Sequence, residues 1–216
     1  MAMLTHRETL APWSGLVLAG GRARRMGGVD KGLLMFRGQP LITHALASLR
    51  PLTERLYISA NRHLETYRGF GYPVLTDEQT GYAAGTAGPL VGILAALQHV
   101  DEGGLLVVPC DAPYLETRHL VSLVTALSDS DAQCAIANDG KRLQPLVMAL
   151  RVTGVRASLA AYLAAGERKV ENWWRSLQWV SVDLSDAANA FINLNTLDEL
   201  AAHDVSGLCN RQERYT

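Results

Sequence analysis

The sequence lacks an excess of charge of either sign. Among its 216 residues, 20 are Lys or Arg and 21 are Asp or Glu, so the formal net charge is −1 at pH 7. Such a balance excludes the general attraction to nucleic acid or to anionic membranes that strongly basic proteins have, and we expect neither as a partner. Any binding of phosphate groups must therefore depend on a local cluster of basic residues.

Cysteine is scarce as well. The three cysteines, Cys110, Cys134 and Cys209, lie far apart and form neither a C-x-x-C metal motif nor a disulfide framework. This pattern favours a reducing compartment. Residues 1–13 carry charged side chains and no continuous apolar stretch, which argues against a secretory signal. We therefore expect a cytoplasmic protein.

Repeats and long polar linkers are also missing, and short apolar runs alternate with helical patterns instead. The apolar runs predict strands at residues 15–19, 56–59, 74–75, 105–108, 132–137, 143–150 and 179–182. The helical patterns cover residues 40–50, the segment that begins at Pro89, and residues 116–127, 152–165 and 198–203. Residues 14–203 are therefore expected to form one domain, with an N-terminal extension at 1–13 and a loose tail at 204–216.

Strands that are apolar on both faces are typical of a sheet buried between two layers of helices. The sequence therefore predicts an α/β fold, a single-domain Rossmann-like three-layer sandwich with a mostly parallel sheet. In such folds ligands bind outside the carboxyl ends of the strands. The segments that follow the predicted strands are thus the places to look for chemistry.

A glycine-rich basic loop follows the first predicted strand. Residues 18–32 read LAGGRARRMGGVDKG and include Arg22, Arg24, Arg25 and Lys31. Glycines let backbone N–H groups approach an anion, and the cationic side chains can neutralise a triphosphate. The loop matches neither the Walker pattern nor the G-x-G-x-x-G dinucleotide pattern. A tight glycine turn beside a solvated basic surface is the alternative interpretation.

Asp111 follows the apolar strand at 105–108 and lies between two prolines, in the sequence PCDAP. A carboxylate at the carboxyl edge of a buried strand is suited to Mg²⁺, which takes one or two carboxylates together with phosphate oxygens and water. Alternatively, Asp111 only organises the turn before the next helix. A phosphate-binding loop in the same sheet favours the metal site.

Two further places carry polar side chains with open interpretations. In a strand-like segment at residues 191–196, Asn193 and Asn195 would point to one face and could complete a metal shell or bind a polar substrate. They could equally form an Asx turn and a helix cap. Asp77, which follows the predicted strand at 74–75, is a carboxylate that could accept hydrogen bonds from a guanine base.

These motifs resemble a known family. The stretch from LAGG through RMGG to DK is similar to the signature loop of the sugar-phosphate nucleotidyltransferase superfamily, and the chain from 14 to 203 resembles the molybdenum cofactor guanylyltransferases more closely. The narrower resemblance rests on residues 60–63 (ANRH), 88–90 (GPL), 109–114 (PCDAPY), 165–168 (AGER) and 191–196 (FINLNT).

The resemblance implies a nucleotide-diphospho-sugar-transferase type of fold and a Mg²⁺-dependent enzyme. Such an enzyme transfers GMP from GTP to the molybdenum-molybdopterin cofactor, releases pyrophosphate and forms the guanine dinucleotide cofactor. By position, the implied GTP-binding residues are Leu18, Ala19, Gly20, Gly21, Lys31, Asp77 and Asp111. The implied catalytic residues are Asp111, Lys31 and Arg25, with Asp111 as the Mg²⁺ ligand and with Asn193 and Asn195 near the pterin substrate.

The chain departs from the family at Ser59, where the family often has Asn, so that either Ser59 or Asn61 is expected to contact the nucleotide. Three other kinds of protein would carry the same residues Gly20, Gly21, Lys31 and Asp111, so they remain alternatives. They are a CTP-using molybdopterin cytidylyltransferase, a sugar-phosphate nucleotidyltransferase, and a non-catalytic GTP-binding module that delivers cofactor. Molybdoenzyme apo-proteins or delivery factors are expected as partners that receive the product.

Overall fold

The fold is built on a seven-stranded sheet. The structure is a computed structural model, and it describes residues 12–19, 30–84, 88–194, 199–200 and 202–203. The strands are β1 (Trp13–Leu18), β2 (Met35–Phe36), β3 (Gln39–Pro40), β4 (Arg55–Ser59), β5 (Val74–Leu75), β6 (Gly104–Pro109), β7 (Cys134–Asn138), β8 (Leu143–Arg151) and β9 (Trp179–Asp183). The large sheet has the order β5-β4-β1-β6-β8-β7-β9, and β2 and β3 form a separate hairpin.

Most neighbours in the large sheet are parallel. Strands β5, β4, β1 and β6 pair in parallel, and so do β7 and β9. Only β8 runs antiparallel, between β6 and β7. The predicted mostly parallel sheet is thus confirmed, and the carboxyl ends of β5, β4, β1 and β6 meet at one edge.

Helices cover both faces of the sheet. They are α1 (Leu41–Leu49), α2 (Leu64–Arg68), α3 (Pro89–Gln98), α4 (Thr117–Ser128), α5 (Val152–Ala164) and α6 (Val170–Arg175). One core cluster joins the sheet to α1 and α4, and a second joins it to α3, α5 and α6, where Trp173 and Trp174 are completely buried. These two cores on opposite faces confirm the predicted three-layer arrangement. Within the described ranges, no helix is both long and apolar enough to cross a membrane.

The segment after β9 differs from its prediction. The predicted strand-like segment at 191–196 is described only to residue 194; there a 3-10 helix at Ser185–Phe191 is followed by three residues without regular secondary structure. A small apolar cluster of Phe36, Leu41, Leu194 and Leu200 holds this part of the chain against the β2–β3 hairpin. Because Leu194 is buried in this cluster, contacts with the rest of the fold set the backbone here, and the alternation of polar and apolar residues wrongly indicated a strand. Of the predicted extension and tail, residues 1–11 and 204–216 lie outside the described residues.

Candidate active site

The ends of three adjacent strands are joined by backbone hydrogen bonds that continue past the regular ladder. The N–H of Ala19 donates to the carbonyl of Ser59 at 2.9 Å, and the N–H of Cys110 donates to the carbonyl of Leu18 at 3.1 Å. The residues that follow β1, β4 and β6 are therefore held in register. This rigid edge is where the sequence predicts a nucleotide.

Lys31 and Asp111 meet at this edge, although 80 residues separate them in sequence. Lys31 lies in a 3-10 helix at Lys31–Leu33, and Asp111 comes two residues after β6 ends. The Nζ of Lys31 donates to the Oδ2 of Asp111 at 3.1 Å, and the side chains are only 24% and 17% exposed. The structure thus brings together the predicted phosphate-binding lysine and the predicted metal ligand.

Asp30, which the sequence did not single out, supports the backbone of Lys31. Its side chain is 5% exposed and its Oδ1 accepts a hydrogen bond from the N–H of Gly32 at 3.3 Å, which caps the 3-10 helix. The hydroxyl of the buried Tyr67 donates to the same oxygen at 2.5 Å. Burial, with the Asp30 carboxylate adding to it, raises the pKa of Tyr67 far above its usual range, so the hydroxyl keeps its proton.

Asp77 lies at the outer end of the same edge. It begins a 3-10 helix at Asp77–Thr80, it is 3% exposed, and its N–H donates to the Oδ1 of Asn61 at 2.9 Å. Asn61, which follows β4, therefore fixes the backbone from which the Asp77 side chain projects. Strands β5 and β6 are three strand spacings apart in the sheet order, or roughly 14 Å. An extended nucleoside triphosphate spans a comparable length.

Ser59, the last residue of β4, is buried beneath α3. A Cβ atom built on Gly92 would lie 2.9 Å from the Cβ of Ser59, so only glycine lets α3 approach the strand this closely. Of the two residues expected to contact the nucleotide, Ser59 packs against α3 and Asn61 binds the backbone of Asp77. The role of Asn61 in holding Asp77 was missed because nothing in the sequence pairs the two residues.

The C-terminal segment reaches the site at Asp111. The N–H of Leu194 donates to the carbonyl of Asp111 at 3.1 Å, so that the neighbouring Asn193 lies close to Asp111 in the fold. Asn195, Gly20, Gly21 and Arg25 lie outside the described residues. Their predicted roles stay predictions.

The chemistry available at the site is electrostatic rather than nucleophilic. Burial, together with the Asp111 carboxylate, raises the pKa of the Cys110 thiol well above its usual range, so Cys110 is no thiolate nucleophile. The part of the chain that the structure describes holds no group of three or more His, Cys, Asp or Glu side chains suited to a metal ion. A single half-buried carboxylate fits Mg²⁺, because this cation fills most of its coordination sphere with phosphate oxygens and water.

The sequence matches one protein family over most of its length. Residues 15–181 match the MobA-like NTP transferase domain. A molybdenum cofactor guanylyltransferase from Shewanella loihica is 44% identical over 194 residues, which cover 87% of this chain and 96% of that protein. A molybdenum cofactor guanylyltransferase from Shewanella halifaxensis is 44% identical over 184 residues, or 85% and 90% of the two chains.

Solved structures share the fold. A molybdopterin-guanine dinucleotide biosynthesis protein A from Archaeoglobus fulgidus superposes with a TM-score of 0.72 at 21% identity, covering 92% of this chain and 99% of the other. A 2-C-methyl-D-erythritol 4-phosphate cytidylyltransferase from Thermus thermophilus superposes with a TM-score of 0.66 at 14% identity, covering 89% and 98%. These likenesses confirm the predicted nucleotidyltransferase type of fold. The chain therefore belongs to the MobA-like NTP transferase family, alongside the molybdenum cofactor guanylyltransferases that it matches over most of its length.

Proposed function

We propose that this protein transfers GMP from GTP to the molybdenum-molybdopterin cofactor, which releases pyrophosphate and forms the guanine dinucleotide cofactor. The observation that carries the proposal is the Lys31–Asp111 pair at the carboxyl edge of the sheet, in a chain 44% identical to molybdenum cofactor guanylyltransferases over 87% of its length. The cytidylyltransferase that superposes is only 14% identical, so that likeness supports the fold and not the choice of nucleotide.

The reaction joins two phosphates and needs no protein nucleophile. An oxygen of the terminal phosphate of the pterin forms a bond to the α-phosphorus of GTP, and the bond from the α-phosphorus to the bridging β-phosphate oxygen breaks. A phosphate monoester is already ionised at neutral pH, so no side chain has to remove a proton first. The role of the protein is to align the reactants and to neutralise the charge that grows on the leaving pyrophosphate.

Lys31 and Asp111 divide that electrostatic task. The Nζ of Lys31 lies 3.1 Å from the Asp111 carboxylate and would bind the phosphates of GTP there. Asp111 would hold Mg²⁺, which when bound supplies positive charge to the phosphate oxygens. The half-buried setting of both side chains strengthens these interactions, because water screens them less than it would on an open surface.

The other residues would set the substrates in place. The backbone at Leu18 and Ala19 and the glycines Gly20 and Gly21 would bind the nucleotide, and the Asp77 carboxylate would accept hydrogen bonds from guanine. Arg25, Asn193 and Asn195 would lie on the side of the acceptor. For Asn193, support comes from the hydrogen bond that ties its neighbour Leu194 to the backbone of Asp111.

A direct assay tests the proposal. Purified protein would be incubated with the molybdenum cofactor and Mg²⁺ plus either GTP or CTP, while pyrophosphate is measured and the pterin product is identified by mass spectrometry. We expect pyrophosphate and the guanine dinucleotide product in the reaction with GTP and not in the reaction with CTP. Without Mg²⁺, we expect neither product. Product formation from CTP in preference to GTP, or GTP binding without pyrophosphate release, would contradict the proposal.

The product has to reach molybdoenzymes, and we propose that this happens by direct transfer in the cytoplasm. The dinucleotide cofactor is large and labile, so release into solution would expose it to water and oxidants. A pull-down with immobilised protein loaded with GTP and cofactor should retain molybdoenzyme apo-proteins or a delivery factor. Recovery of the same proteins by unloaded and loaded protein alike would argue against transfer.

A further inference from the structure

We propose that Tyr67 is a positioning residue, which acts through the carboxylate of Asp30 to hold Lys31 beside Asp111. The inference deepens the proposed function, because it assigns a role to residues that surround its phosphate-binding lysine. It concerns a residue on α2, far from the glycine-rich loop in sequence and absent from the predicted site.

The first step is that Asp30 ties down the backbone that follows Lys31. Its Oδ1 accepts from the N–H of Gly32 at 3.3 Å, and its own carbonyl accepts from the N–H of Leu33 at 3.1 Å. Lys31 therefore begins a single tight turn of 3-10 helix between two fixed neighbours. A turn this short has little stability of its own, so its geometry depends on what holds Asp30.

The second step is that Tyr67 holds Asp30. The Tyr67 side chain is completely buried, and its hydroxyl donates to the Asp30 Oδ1 at 2.5 Å. A hydrogen bond to a carboxylate in a buried setting is stronger than one between neutral groups. Because the Tyr67 ring belongs to the core cluster that joins the sheet to α1 and α4, its hydroxyl anchors Asp30 to the body of the domain.

The third step is that Gly32 packs directly on the same hydroxyl. A Cβ atom built on Gly32 would lie 2.6 Å from the Tyr67 oxygen. Only glycine therefore lets the backbone after Lys31 come this close to α2. The residues before and after Lys31 both touch Tyr67, one by a hydrogen bond and one by close packing.

This support matters because a lysine side chain has several rotatable bonds and loses much freedom when it is fixed. A backbone fixed in advance limits that loss to the side chain itself. The tyrosine ring alone would fill the core equally well as phenylalanine. The hydroxyl is thus the part of Tyr67 that the proposal makes responsible for the position of Lys31.

The lysine content of the chain permits a direct test. Lys31, Lys141 and Lys169 are the three lysines of the sequence, and the last two are exposed. Reductive methylation with ¹³C-formaldehyde would therefore give three lysine methyl signals, which carbon–proton NMR resolves and the Lys31→Ala variant assigns. The variants to compare are Tyr67→Phe and, as a matched control, Tyr57→Phe. Tyr57 is also a buried tyrosine, and its hydroxyl donates to the backbone carbonyl of His99 at 3.3 Å, away from Lys31.

We expect the Lys31 signal of the wild-type protein to differ from the two exposed lysines and to move to their position in Tyr67→Phe, while Tyr57→Phe leaves it unchanged. An unchanged Lys31 signal in folded Tyr67→Phe would overturn the proposal. If Tyr67→Phe does not fold, Asp30→Ala and Asp30→Asn make the same comparison. Asparagine keeps an oxygen that can accept from Tyr67 and Gly32, so it should keep the wild-type signal that alanine loses; equal loss in both would overturn the proposal.

Kinetics provide a second readout. We expect Tyr67→Phe to lower kcat by about tenfold with little change in KM for GTP. In the Lys31→Ala background, the same substitution should lower kcat by less than about twofold. An equal loss with and without Lys31 would mean a general structural defect and would overturn the proposal. If the wild-type protein itself transfers no GMP, the proposed function fails, while the NMR comparison still decides whether Tyr67 positions Lys31.

Discussion

Three acidic side chains at the carboxyl edge of the sheet are much less exposed than three at the amino edge. At the carboxyl edge, Asp30 and Asp77 are buried and Asp111 is half-buried in a pair with Lys31. At the amino edge, carboxylates line a shallow cleft in front of β1 and β6 and are exposed; they are Glu54, Asp101 and Glu102. The chain therefore leaves these three carboxylates in water at the amino edge and withdraws Asp30, Asp77 and Asp111 from water at the carboxyl edge.

The difference points to function because burial of a charge costs free energy unless hydrogen bonds or an opposite charge offset it. A surface cluster of carboxylates needs no such support. At the carboxyl edge, Asp30 and Asp111 have such support, because Tyr67 and Gly32 donate hydrogen bonds to Asp30 and Lys31 pairs with Asp111. The proposed function depends on this supported pair of charges, Lys31 and Asp111.

The largest loss of activity is expected from substitution of Asp111 at the carboxyl edge. Asp111→Ala should nearly abolish GMP transfer, because it removes the proposed Mg²⁺ ligand. Asp101→Ala, at the exposed amino edge, is the matched control and should leave the rate unchanged. Steady-state transfer assays at saturating Mg²⁺, with thermal denaturation to check folding, make the comparison. Near-normal Mg²⁺-dependent activity in folded Asp111→Ala would refute the metal role.

Substitution of Lys31 should lower the rate of GMP transfer less than substitution of Asp111. Lys31→Ala should lower kcat by about 10²-fold, the range found when a donor to a developing oxyanion is removed. Lys141→Ala, which changes an exposed lysine in the β7–β8 turn, should have no effect on the rate. If only KM for GTP rises in Lys31→Ala, the lysine binds ground state and transition state equally and does not assist the chemical step.

Asp77 should affect selectivity more than rate. Asp77→Asn should weaken GTP binding by about tenfold, as expected for the loss of one charge-assisted hydrogen bond, and should narrow the preference for GTP over ATP. Glu54→Gln at the amino edge is the corresponding control. Competition binding with a fluorescent GTP analogue measures the affinities of each variant for GTP and for ATP. An unchanged GTP-to-ATP ratio would remove the base-recognition role from Asp77.

The smallest functional effect is expected from two glycines that are packed tightly at opposite edges. A Cβ on Gly92 would collide with Ser59, and a Cβ on Gly104 would collide with the ring of Trp13. Each change to alanine should lower the free energy of unfolding by about 1–3 kcal/mol through overpacking. Urea denaturation measures this loss. Only Gly92→Ala should also weaken GTP binding, because Ser59 ends a strand at the nucleotide edge; equal binding in both variants would contradict that placement.

The sequence predicts the strands and much of the candidate site, because the same pattern of residues indicates both. An apolar run followed by a polar or glycine residue marks both a buried strand and the end at which ligands bind, as for β6 and Asp111. That rule predicts Asp111, Asp77 and the loop before Lys31 at one edge. It does so without any knowledge of side-chain contacts.

The supporting residues could not be found in this way. Tyr67 and Asp30 are 37 residues apart, and an aromatic residue in a short helix looks like ordinary core packing. Asn61 contacts Asp77 because β4 and β5 are neighbours in the sheet, and no local sequence pattern predicts that pairing. The irregular segment at Asn193 misled the prediction because tertiary packing against the β2–β3 hairpin, rather than local preference, sets its backbone.

Isothermal titration calorimetry tests the central claim most directly. The wild-type and Asp111→Ala proteins would each be titrated with GTP, CTP, ATP and UTP, with and without Mg²⁺. We predict that the wild-type protein prefers GTP and binds it more tightly with Mg²⁺, and that Asp111→Ala loses the Mg²⁺ effect but keeps the preference for GTP. A preference for CTP, or an equal Mg²⁺ effect in both proteins, would contradict the account.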